Sequence, residues 1–316
     1  MIETSTPAET TAAPAPKRTT RSRSFASMMA DGARVIGRGF ATIWSNRLAR
    51  IGLVLFGFFV LLAIVGPLIS PYSATDNSFE RRADPSAAHW LGTTPLGQDV
   101  LSQVLTSAQV SVTVALVAGA LATLLSLIIG LAWGYSKATT NHFFNFLVNL
   151  FLVLPALPLM IVIAAYLHGG GVSTVVLVIV ITGWAWGARV LRAQAQTLRS
   201  RDFVAAARFS GESATRIVFR EILPNMSSLV IATFFGAASG AILAEAGLEF
   251  LGLGDSNVVS WGTQLYWAET SNVLLTGQWI IIFAPGLMIA LFAVSMALIN
   301  FGVDALSNPR LREGRK

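Results

Sequence analysis

Six uncharged, strongly apolar runs divide this chain and restrict what it can fold into. They cover residues 51–69, 112–134, 143–166, 169–188, 226–244 and 279–303. The first alone has 19 residues, which as a helix cover about 29 Å at roughly 1.5 Å per residue, close to a bilayer's hydrocarbon thickness. Pro155 and Pro158 stand inside the third run and predict a kink there. Across all 316 residues, hydrophobic side chains make up 54% and charged ones only 12%, whereas about a quarter are charged in a soluble protein. Length by itself would allow one or two domains. Composition narrows this to an all-α integral membrane protein with six transmembrane helices.

The placement of positive charge orients the spans. Lys17, Arg18, Arg21, Arg23, Arg34, Arg38, Arg47 and Arg50 precede the first, and Lys137 lies between the second and third. Arg189, Arg192, Arg199, Arg201, Arg208, Arg216 and Arg220 lie between the fourth and fifth, and Arg310, Arg312, Arg315 and Lys316 follow the last. Only Arg81 and Arg82 of the 22 basic residues fall on the other side. Both termini and the loop around Gly211 are therefore expected in the cytoplasm of a prokaryotic cell with this chain in its inner membrane. The net charge of +6 reports topology, and no nucleic-acid partner is needed to explain it. Residues 1–44 read as a disordered basic tail and not as a signal peptide, because the first apolar run already has full spanning length. The transmembrane domain is assigned to 45–312 and a short tail to 313–316. The chain has no cysteine, which excludes disulfides and thiolate metal sites.

Between the fourth and fifth runs, residues 199–225 are polar, basic and helix-prone. Asp202 is placed as an N-cap, with Ala205, Ala206 and Ala207 filling the next turn. Gly211 suits a sharp break, because glycine takes a positive φ at little cost. Glu212 or Ser213 opens a second short helix with Ile217 and Val218 on its apolar side, and Pro224 ends it. One reading is a basic connector whose arginines merely set topology. The spacing of Ala206, Ala207, Gly211, Leu223 and Pro224 also resembles the EAA loop of ABC importer permeases, although Ala205 holds the motif's Glu position and Glu221 its Ile position. That resemblance implies a coupling helix docked on an ATPase, carried by Asp202, Phe203, Ala205, Ala206, Ala207, Arg208, Gly211, Glu212, Arg216, Leu223 and Pro224.

The flanking segments resemble the dipeptide and oligopeptide branch of the same permeases. The stretch from Gly92 to Asp99 is similar to that branch's Gly-Thr-Asp, two residues, Gly-Arg-Asp, but Thr94 and Gln98 replace the Asp and Arg, so any ion pair between them is lost. Residues 245–254 with Ser260-Trp261-Gly262 resemble its Leu-Ser-Phe-Leu-Gly-Leu-Gly…Ser-Trp-Gly segment, with Glu249 at the Ser position. Asn46-Arg47-Leu48-Ala49 and Asn308-Pro309-Arg310-Leu311-Arg312 resemble its two ends. The resemblance implies a second (C-type) permease subunit paired with a homologous permease. It also implies two cytoplasmic ATPase domains that hold ATP and magnesium, and an extracytoplasmic solute-binding protein. Peptides are the implied solute, with oligosaccharides and nickel chelates as alternatives.

No Gly-Lys-Ser or Gly-Lys-Thr phosphate loop occurs, so ATP hydrolysis by this chain and a cofactor of its own are not expected. His89, His142 and His168 are scattered, and no metal site is expected from them. Asn145, Asn149, Thr233, Ser239 and Glu245 are candidates for the translocation path, with Thr182, Ser295 and Asn300 beside them. The same polar groups could instead stitch helices together, and Glu245 could instead be an interfacial carboxylate near the outer end of the fifth span. Gly236, Ala237, Ala238 and Gly240 suit a close-packing interface with another permease. Trp184, Trp186, Trp261, Trp267 and Trp279 read as interface anchors. A secondary transporter or a membrane sensor are the competing classes. The first would normally show an intramembrane ion-coupling carboxylate or an inverted repeat, and neither is evident in the sequence.

Overall fold

The computed structural model describes residues 46–136, 138–167 and 171–307. The tail expectation for 1–44, Lys137, His168, the 308–312 motif and the 313–316 tail lie outside the described residues. Within them the chain is helical: α1 Arg47–Ile69, α2 Val100–Gly134, α3 Ala138–Val153, α4 Ala156–Tyr166 and α5 Val172–Arg199. Then come α6 Asp202–Phe209, α7 Ala214–Ile217, a π-helical turn Val218–Ile222, α8 Leu223–Asn225, α9 Ser227–Phe250, α10 Trp261–Thr270 and α11 Ile280–Ser307. Five of these, α1, α2, α5, α9 and α11, are each long and apolar enough to cross a membrane.

The third predicted span is broken. Pro155 has no N–H and disfavours helix at Leu154, so the chain bends by 95° between Thr140–Val153 and Ala156–Tyr166. This is more than the expected kink, yet the pair still completes a crossing. Helices α2 and α5 run parallel: Ser126 Oγ donates to Trp184 O at 2.7 Å, and Arg199 Nη1 donates to Gly134 O at 3.1 Å. Between Gly134 and Val172 the chain must therefore return over the full height, and α3 and α4 are the helices that lie there. Val148 of α3 packs beside Trp133 and Ala188 at one end, whereas Met160 of α4 packs beside Val114 and Val175 at the other.

The remaining neighbours alternate. Gly302 of α11 meets Ala49 at the start of α1, while Phe292 meets Phe59 further along, so these two are antiparallel. Gly119 of α2 meets Ala238, and Ser111 meets Glu245, so α2 and α9 are antiparallel as well. Six crossings thus bring the start of α1, the end of α2, the loop around Gly211 and the end of α11 to one face.

Helix α2 is longer than its sequence run suggested. Its 35 residues reach about 52 Å, well beyond a ~30 Å hydrocarbon core. The extra turns carry Ser102, Ser107 and Ser111, all buried, because they pack into a cap at the face opposite Gly211. There the 70–99 loop folds on itself. Asp99 caps α2 by accepting from Ser102 N at 2.8 Å and holds His89 Nδ1 at 2.9 Å. Thr94 Oγ1 donates to Gln98 Oε1 at 3.4 Å, an uncharged contact at the positions where the family motif has Asp and Arg. Helix α10 closes the cap by packing on α9 and α11. Two expected interface anchors belong to the core instead: Trp184 and Trp261 are buried. Trp184 packs on Phe151, and Trp261 donates its Nε1–H to Val104 O.

Candidate functional site

Two regions carry functional geometry, a helical knob on the Gly211 face and a cavity between spans. The knob begins where Arg201, not Asp202, occupies the N-cap position of α6, so Asp202 is the first helical residue. A carboxylate there still faces the positive end of the helix. Gly211 has φ +78°, and the α6 C-terminus closes as a Schellman motif. Gly211 N–H donates to Arg208 O at 2.9 Å and Glu212 N–H to Ala207 O at 3.1 Å. Ser213, one of the two anticipated residues, caps α7 through Arg216 N–H. Pro224 lies within α8, and the break follows at Met226.

Val204, Ile217, Ile222 and Met226 pin the knob to Leu131, Leu191 and Ala195 of α2 and α5. Asp202, Phe203, Ala206, Arg208, Gly211, Arg216 and Pro224 point outward, whereas Ala205, Ala207, Glu212 and Leu223 are half-buried. Arg216 Nε lies 3.6 Å from Glu212 Oε1, an i,i+4 pair. The two most exposed aromatics of the knob, Phe209 at 93% and Phe219 at 63%, were not among the candidate site residues. Their signal was large apolar residues in a polar, basic loop.

The cavity has a volume of about 390 Å³ and lies between α2, α4, α5, α9 and α11. Its α9 wall is a stripe at helical spacing, Leu229, Thr233, Gly236, Gly240 and Ala244. Trp186 and Asn300 also line it, and no charged side chain among the described residues does. Of the path candidates, Thr233 and the secondary candidate Asn300 reach this cavity. The Oδ1 atom of Asn300 has no hydrogen-bond partner among the described residues. Asn145 and Asn149 do not reach it. Asn149 donates to Asn145 Oδ1 at 2.8 Å and accepts from Arg189 Nη2, which joins α3 to α5. Ser239 donates to Ala293 O at 3.3 Å and joins α9 to α11. Ser295 and Thr182 return their hydroxyls to their own helices.

Glu245 does not line the cavity. It is fully buried and accepts from Ser111 Oγ at 2.8 Å. One turn later Glu249 is also buried and accepts from Ser260 Oγ. The two carboxyl groups are enclosed between α9, the start of α2 and the start of α10. The close-packing stripe divides as well: Ala238 is consumed by the contact with Gly119, whereas Gly236 and Gly240 stay exposed on the cavity side. Among the described residues no cluster of three metal-ligating side chains occurs.

Residues 126–313 match the family described as the inner membrane component of binding-protein-dependent transport systems. The chain belongs to that family. Residues 40–85 of this transport component also match the N-terminal transmembrane domain of oligopeptide transport permease C. It is 30% identical over 269 residues to the dipeptide transport system permease protein DppC of Bacillus subtilis, covering 84% of this chain and 83% of that protein. It is 29% identical over 275 residues to the oligopeptide transport system permease protein OppC of the same organism, covering 85% and 88%. OppC of Mycobacterium bovis is 30% identical over 274 residues, covering 86% and 93%. In this transport component, the family match takes in the knob, the α9–α10 contact and every cavity residue named here.

Proposed function

We propose that this chain is one of two paired permease subunits of an ATP-driven importer for peptides. The knob docks on a cytoplasmic ATPase, the opposite cap receives a solute-binding protein, and the cavity is this subunit's share of the path. The observation that carries the reading is the knob itself. A rigidly anchored pair of short helices, turned at a positive-φ glycine, presents Phe203, Phe209 and Phe219 with Arg208 and Arg216 on the face that gathers most of the positive charge. Exposed aromatics and arginines are the side chains that dominate protein interfaces. The charge asymmetry supports a cytoplasmic position for that face.

The cavity wall supports the solute class. A wall of small apolar residues with Thr233 and Asn300, and without charge, does not favour one peptide charge over another. Exposed Gly236 and Gly240 on its open side leave room for a second permease to complete the path. ATP is then bound and hydrolysed by the partner subunits, because this chain has no phosphate loop.

Gly211→Val is the decisive test. An added Cβ meets nothing within 4 Å, so the change introduces no clash in the chain. It does force a β-branched residue into left-handed backbone, at about 1–2 kcal/mol, and alters the docked surface. Membrane accumulation should stay near normal, peptide uptake should be lost, and co-purification of the ATPase should weaken. Normal uptake at matched accumulation would leave the loop a mere connector.

A further inference from the structure

We propose that Glu249, assisted by Glu245, is the positioning residue that carries docking at the outer cap to the α9 wall of the path. The inference rests on the importer reading above and assigns a role to a buried pair of carboxylates that reading does not use. Helix α9 has two working sides. One is the cavity stripe, and the opposite side carries Ala238, Ile242, Glu245 and Glu249, all buried. Apart from Ser227, which donates to Pro224 O at the helix start, α9 makes side-chain hydrogen bonds to other elements among the described residues at Ser239, Glu245 and Glu249. Both carboxylate contacts lead to the start of α10. Ser260, the N-cap of α10, donates its hydroxyl to Glu249 and accepts Thr263 N–H at 3.0 Å. Ser111 donates to Glu245 and accepts Trp261 N–H at 3.1 Å. Each hydroxyl thus takes a first-turn amide of α10 and hands its own hydrogen bond to a carboxylate of α9.

No Lys, Arg or His hydrogen-bonds either carboxylate among the described residues. What faces them instead is the N-terminus of the ten-residue α10, whose first-turn amides lack partners inside the helix. Two glycines fit the pair tightly: a Cβ on Gly254 would lie 2.7 Å from Glu249 Cγ, and one on Gly262 would lie 2.6 Å from Glu249 Oε2. With no slack on either side, a shift of α10 must move α9 and so reshape the cavity stripe. Helix α10 is also part of the cap surface. Its Trp267 is exposed and, with Thr75, Gln98 and Asn257, lines a polar pocket of about 250 Å³.

The test uses the assembled transporter in proteoliposomes, with partner permease, ATPases and the solute-binding protein saturated with a peptide digest. Glu249→Gln keeps the volume and replaces the carboxyl group with an amide, and Ser260→Ala removes the same contact from α10. Both should leave basal ATP hydrolysis unchanged and lower its stimulation by the loaded binding protein at least about fivefold, the lower range of measured coupling between sites. Stimulation retained in both variants would overturn the proposal. So would a parallel fall of basal and stimulated hydrolysis, which marks a purely structural role. If Glu249→Gln fails to accumulate, Ser260→Ala decides by the same criteria. A native assembly whose hydrolysis ignores the binding protein would overturn the importer reading itself, and this inference with it.

Discussion

A Cβ on Gly119 would lie 2.8 Å from both the backbone N and the Cα of Ala238, so α2 and α9 touch there through backbone. In lipid, helix association depends on such close packing, because the tails are as apolar as the side chains. Gly119→Val should therefore force the two helices apart at a cost of about 1–3 kcal/mol, read as a lower apparent melting temperature in detergent. Gly57→Ala is the contrast: nothing lies within 4 Å of an added Cβ, and the melting temperature should hold or rise slightly. An equal loss in both would show that the α2–α9 contact does not govern packing. A glycine can be read from sequence, but not the side of the helix that faces another backbone. Gly119 went unnoticed for that reason, while Gly236 and Gly240 shared one interface reading with Ala238.

At the scale of the element, the knob shows how local chemistry builds a surface. Alanines, a capping serine and a positive-φ glycine make two helix stubs, and Val204, Ile217 and Ile222 hold them down. The same arrangement leaves Phe209 93% exposed, with nothing in this subunit to lose if it is cut back. Phe209→Ala should leave thermal stability unchanged and weaken ATPase binding by about 1–2 kcal/mol, roughly a tenfold loss, measurable by titration of labelled ATPase onto nanodisc-held permease. Binding unchanged within error would remove Phe209 from the docking surface. Spacing identified the loop and its hinge. Exposure of the aromatics followed only from how the stubs are pinned.

For the whole molecule, parity is the strongest constraint. The parallel run of α2 and α5 requires a return crossing, and the pair broken at Pro155 supplies it. The 70–99 loop and the knob then lie on opposite faces. In the cysteine-free chain, Ala87 and Ser213 are both exposed and give clean reporters. A thiol at Ala87→Cys should react with a membrane-impermeant maleimide in spheroplasts, and one at Ser213→Cys should not. Labelling of the second from outside would reverse the orientation.

The sequence by itself determined the fold class, the number of crossings, the grouping of positive charge and the hinge at Gly211. Each of these depends on hydropathy, charge or backbone preference within a short window, and such quantities do not need distant partners. Tertiary structure alone decided the fate of the polar and aromatic residues in the spans and the cap. Glu245 meets Ser111 across 134 positions of chain, and Trp261 Nε1 meets Val104 across 157. Thr233 and Asn300 face a cavity bounded by five helices, whereas Asn145 and Asn149, equally polar and equally placed in an apolar run, tie α3 to α5. A polar group in lipid must find a partner or a cavity, and which one it finds depends on the neighbour that the packing brings to it.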